Sequence, residues 1–96
     1  MLRHPPNSRA IRLKPEVLSA FAREWLSTQS LSPPPLYAEF VAALESAVSR
    51  FFGGRYEMAG GAMTAILAEN GLEKFMAGTG RQRWSHVRRI TAASTN

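Results

Sequence analysis

Glycine and proline cut this 96-residue chain into short pieces, and that punctuation limits what it can fold into. Pro15, the run Pro33-Pro34-Pro35, the pairs Gly53-Gly54 and Gly60-Gly61, and then Gly71, Gly78 and Gly80 divide everything beyond the first residues. Proline breaks a helix interior and glycine weakens one by about 1 kcal/mol relative to alanine. Long coiled coils and repeat arrays are therefore excluded; there is no internal repeat and no sustained heptad. What remains is one small domain of short elements on a single core, which the 45% hydrophobic content can supply.

Between the breaks, the apolar residues recur at helical spacing. Pro15 suits a first helical position, and Val17, Leu18, Phe21, Ala22 and Trp25 share one arc, so a helix is expected over 15–28. A second is expected over 35–52, where Leu36, Phe40, Ala43, Leu44, Ala47 and Phe51 form a wide stripe closed by Gly53. The prolines before it read as a stiff spacer. A third helix is expected over 55–69, weakened by Gly60-Gly61, and a brief fourth over 72–77, too short for the second helix of a helix–turn–helix. The last segment, 80–91, carries Trp, Val, Ile and Thr and is compatible with an edge strand. Thr79 and Gln82 match a capping box, however, and favour a helix with Trp84, Val87, Ile90 and Thr91 on one stripe.

The expected fold is all-α: a single-domain bundle of four or five helices over 15–91, a flexible basic arm over 1–14 and a frayed tail over 92–96. Phe21, Trp25, Phe40, Leu44, Phe51 and Ile66 are the expected core. The breadth of the second helix's stripe suggests a homodimer, with Tyr37, Val41, Val48 and Phe52 at the self-association face.

Catalytic chemistry is poorly supplied. The chain has no cysteine and no aspartate, and its two histidines, His4 and His86, lie more than eighty positions apart. Thiol catalysis, thiolate metal sites and disulfides are excluded, and no acid/base pair or metal-ligand spacing is present. The reading is a non-enzyme with no catalytic residues, no metal and no cofactor. No segment is apolar over the length of a membrane span and the N-terminus lacks a secretory apolar region, so no membrane association and a cytoplasmic location are expected.

Charge is the informative feature. The formal net charge is +5, with ten arginines and two lysines against seven glutamates. Residues 1–14 carry +4 and residues 81–96 carry +4, while 15–80 stands at −3. Such basic ends suit a polyanion or an acidic protein surface. The candidate binding residues are Arg81, Arg83, Trp84, His86, Arg88 and Arg89, with Arg9, Arg12 and Lys14 on the arm. The arginines can reach phosphates without reading sequence, and an unburied Trp84 can stack on a base. The expected function is a small nucleic-acid-binding or nucleoprotein accessory protein. The alternative is a protein-binding module acting by occlusion, such as a phage- or plasmid-type inhibitor of a host enzyme complex, or an adaptor.

Overall fold

A computed structural model describes residues 9–90. Within them the chain forms three α-helices followed by a two-stranded antiparallel sheet: α1 (Pro15–Leu26), α2 (Tyr37–Phe52), α3 (Ala62–Glu69), β1 (Leu72–Ala77) and β2 (Trp84–Arg89), with a single 3-10 turn at Gly80–Gln82. The architecture is a small mixed α/β domain, which corrects the expected all-α bundle.

The first two helices form for the reasons legible in their sequence. Pro15 opens α1, and Leu18, Ala22 and Leu26 make its buried stripe at i, i+4 spacing. In α2 the same spacing buries Phe40, Leu44 and Val48. Arg50 lies in its last turn, and the Gly53 N–H closes the helix on the Ser49 carbonyl at 2.9 Å.

The third helix is shorter than its periodicity suggests because residues 55–58 have other partners for their backbone donors. The Arg55 N–H donates to the Arg9 carbonyl (2.7 Å), the Tyr56 N–H to Ser49 Oγ (3.0 Å) and the Met58 N–H to Glu45 Oε2 (2.7 Å). Helix begins only after Gly60-Gly61, at Ala62.

The same contacts tie down part of the arm. Ile11 N–H donates to the Arg55 carbonyl at 2.9 Å, Ala10 and Arg55 form a parallel bridge, and Ile11 and Leu13 pack against the core. Residues 9–13 are thus a structured strap over the end of α2 and not part of a free arm; residues 1–8 and the tail over 92–96 lie outside the described residues. The strap crosses at Gly54, where a Cβ would lie 2.4 Å from Ile11 Cγ2 and 2.8 Å from the Arg9 carbonyl oxygen. Gly54→Ala should therefore destabilise the fold by about 1–3 kcal/mol. Gly60→Ala, with nothing within 4 Å of its Cβ position, should be neutral or slightly stabilising. Paired urea titrations check both; equal midpoints would mean the strap does not seat there.

The largest departure lies beyond α3. Gly71, at φ +68°, ends that helix and turns the chain into β1. Glu73 faces Arg88, Phe75 faces His86 and Ala77 faces Trp84 across the ladder, while Leu72, Lys74 and Met76 face Arg89, Val87 and Ser85. Between the strands Gly78 sits at φ +114°, with a would-be Cβ 2.0 Å from the Gln82 carbonyl oxygen. Only glycine fits that bend. Thr79 makes no side-chain cap, so the apparent capping box opens just one 3-10 turn. The far edge of β2 is also occupied: the Val87 N–H donates to the Pro35 carbonyl at 3.0 Å and Leu36 bridges His86. With partners on both edges, residues 84–89 gain more from the ladder than from a short isolated helix.

The core joins all of these elements. Leu44, Val48 and Val87 are fully buried, with Met63, Ile66, Leu67 and Leu72 around them. Phe40 and Ile66 are buried as expected and Phe21 and Trp25 pack at the margin, but Phe51 is 72% exposed and is not a core residue.

Tyr56 is buried beside Glu45, and burial first, then that carboxylate, push its hydroxyl above the ordinary value of about 10. A group with a raised folded pKa stabilises fully below its unfolded value, and the contribution is lost as pH climbs through the folded one. Thermal stability should therefore decline above about pH 10, and Tyr56→Phe should flatten that decline. Melting temperatures across the alkaline range check it.

Candidate functional site

Because β1 and β2 alternate faces, the hairpin has an inner and an outer side. Leu72 and Val87 turn inward, 3% and 0% exposed. The opposite side carries Glu73, Phe75, Ala77, Trp84, His86 and Arg88. Trp84 is 57% exposed although it stands on a strand whose centre is buried. Its cross-strand neighbour is only Ala77, so no large side chain faces the indole from across the ladder.

Further along this face the side chains hold one another. The Arg88 guanidinium lies 4.0 Å over the centroid of the Phe75 ring, and its Nε donates to Glu73 Oε2 at 2.7 Å. The Phe75 and His86 rings are 5.7 Å apart, and His86 Nδ1 is 2.9 Å from the Trp84 carbonyl oxygen. The Glu73–Arg88 pair is solvent-accessible and adds little stability, but it helps hold the guanidinium above the Phe75 ring. Arg81 and Arg83 are exposed in the turn, and Arg89 is exposed at the far end of β2.

The hairpin thus gathers all six candidates from 81–89 and adds Lys74, giving five cations against one glutamate from 72 to 89. It does not gather the others. Arg9, Arg12 and Lys14 are exposed along the strap, past the C-terminal end of α2, while the hairpin bridges Leu36 just before the N-terminal end. The 16-residue helix between them is about 24 Å long at 1.5 Å per residue. The two basic segments are separate surfaces.

Of the expected self-association residues, one is buried and three are partly buried. Val48 is fully buried within the chain's own core, and Tyr37, Val41 and Phe52 pack against that core. Tyr37 is further covered by Lys74 Nζ, 4.4 Å from its ring centroid. The unpartnered apolar surface lies instead at the end of α2, where Phe21, Phe51 and Phe52 meet at centroid distances of 4.9–5.6 Å.

Among the described residues no group of three His, Cys, Asp or Glu could hold a metal ion, and no helix is long and apolar enough to cross a membrane. A cavity of about 420 Å³ between α1 and α3 is lined mainly by apolar groups, including Leu13, Leu18, Tyr56 and Ile66, and its rim residues Ser19 and Glu69 hydrogen-bond each other.

Phe75 and Glu73 on this surface, and Lys74 on the other side of the same strand, are residues that residue-by-residue reading passed over. Their signal is the Gly78-Thr79-Gly80 turn between two six-residue segments, one rich in strand-forming residues, which is a hairpin pattern. No family model matches the chain, and neither a curated protein nor a solved structure matches it.

Proposed function

We propose that this protein is a non-enzymatic nucleic-acid-binding protein that engages phosphates through the hairpin, without reading base sequence. The observation that carries this reading is the meeting of five cations and an exposed tryptophan on one rigid hairpin whose single acid is already paired. Arg81 and Arg83 project from the turn and Arg89 from the strand end, positions that suit a flexible polyanion passing over the tip. The strap cations Arg9 and Arg12 provide a second, weaker contact for a ligand long enough to span α2.

The test is binding of fluorescently labelled DNA and RNA over a salt series starting at about 50 mM. Phosphate-driven binding falls log-linearly with salt, with a slope near 0.7–0.9 per phosphate contact. Failure to bind any nucleic acid at the lowest salt would rule the reading out.

A second reading rests on a different observation, the phenylalanine cluster with Phe51 72% exposed. Exposed aromatic clusters serve as anchors in protein interfaces, which suits the occluding module. That interface would respond weakly to salt and lose affinity on Phe51→Ala but not on changes to the hairpin arginines. Capture of an acidic protein by the hairpin would likewise place the arginines in a protein interface.

A further inference from the structure

We infer that the outer face of the hairpin takes single-stranded nucleic acid in preference to duplex, with unpaired bases stacking on Trp84 and on the Arg88 guanidinium. This inference rests on the nucleic-acid reading above and adds the class of strand. Three features of the face lead to it.

The first is the kind of group presented. A two-stranded ribbon can enter a duplex major groove, but it reads there with extended polar side chains aimed at base edges. On this face the one extended cation, Arg88, is tied to Glu73 and held 4.0 Å from the centroid of the Phe75 ring. A cation held in that way is not free to reach for base edges, and base planes stack on guanidinium and indole planes alike.

The second is spacing. Trp84, His86 and Arg88 alternate along β2 on the same side, so successive positions are about 6.8 Å apart at 3.4 Å per residue. That is twice the 3.4 Å rise of stacked bases in a duplex strand. Bases held in a duplex have no gap for an indole, whereas an unstacked strand can interleave with groups at this interval.

The third is charge around the platform. Arg81 and Arg83 lie immediately before Trp84, and Arg88 closes the other end of the same side of β2, so cations stand at both ends of the stacking face. A backbone running along β2 meets positive charge on entry and on exit, while its bases face the aromatic strip. Trp84, 57% exposed, presents an apolar ring to water, and a stacked base covers it.

Two tryptophans are present, and Trp25 packs on Phe40 at 5.4 Å, so Trp25→Phe keeps an aromatic there and leaves Trp84 as the only indole reporter. In that background, 12-nucleotide oligo(dT) and oligo(U) and a 12-base-pair duplex are titrated at low salt. Anisotropy of the labelled nucleic acid and Trp84 emission are followed together. The expected result is single strands binding at least tenfold more tightly than duplex, with quenching of Trp84; the two oligomers distinguish DNA from RNA. Trp84→Ala should then cost about tenfold in single-strand affinity, the size of one base–aromatic stack, and Trp84→Phe should recover most of it. Equal binding of duplex and single strand without quenching overturns the inference and leaves the nucleic-acid reading standing. Absence of binding to every probe removes both, and quenching by an acidic protein alone assigns the face to a protein partner. The quenching measurement leaves Trp84 itself unaltered, so it is decisive even if the alanine variant folds poorly.

Discussion

Leu44→Ala should lower the unfolding free energy by about 2–5 kcal/mol, whereas Phe51→Ala should lower it by less than about 1 kcal/mol. Both residues lie on the same helix and both belong to its apolar stripe, so sequence alone gives them similar weight. Their environments differ completely. Leu44 is fully buried where α2 meets the rest of the core, and truncation leaves a cavity that close-packed neighbours cannot fill. Phe51 is 72% exposed, with the rings of Phe21 and Phe52 beside it. For a domain of this size the Leu44 change removes a large part of the total stability. Urea unfolding of the two variants measures the difference; comparable losses would mean that the last turn of α2 is covered.

Replacing Arg81, Arg83, Arg88 and Arg89 together by Gln should reduce nucleic-acid affinity at low salt by on the order of a hundredfold or more, roughly equally for all sequences. The salt slope should flatten by about 0.7–0.9 for each phosphate contact removed. The individual contributions should be unequal. Arg81 and Arg83 are exposed and, among the described residues, pair with no acid, so their single changes should flatten the slope most. Arg88 shares its charge with Glu73, so its loss should act more on stacking than on salt dependence. Arg9→Gln and Arg12→Gln should have smaller effects because these cations lie beyond the other end of α2. Point changes suit the strap better than truncation, since removing Ile11 disturbs core packing. A quadruple variant that binds as well as the parent chain would move the interface away from the hairpin.

The helices were legible because their apolar residues recur every three or four positions and their ends carry Pro15, Arg50 and Gly53. The hairpin was not, and Trp84 and Val87 show why. Three residues apart, they fall on one stripe of a helix but on opposite faces of a strand. Helical period places both against the core; the actual ladder buries Val87 completely and turns Trp84 outward with His86 and Arg88. The local pattern of residues 80–91 serves either state. Long-range partners, β1 on one edge and Pro35–Leu36 on the other, decide between them, and no local spacing encodes the second of these. The shortening of α3 has a similar origin, since Arg9, Ser49 and Glu45 compete for its first donors from distant positions. The candidate contact residues were chosen by charge and aromaticity, which do not depend on whether 80–91 is helix or strand. What the structure altered is their grouping: those from 81–89 share one hairpin, and Arg9, Arg12 and Lys14 stand apart from it.

The bond from the Val87 N–H to the Pro35 carbonyl stitches the hairpin to the connection between the first two helices. Opening the last strand therefore also frees the segment that leads into the central helix, and Val87 leaves the core as it goes. A ligand seated on the hairpin holds the whole domain closed and not just its own binding surface. Occupancy should consequently register as a rise in melting temperature, and at a free ligand concentration a hundredfold above Kd the gain approaches about 2.7 kcal/mol. The molecule's own melting curve thus serves as a label-free gauge for sorting ligands.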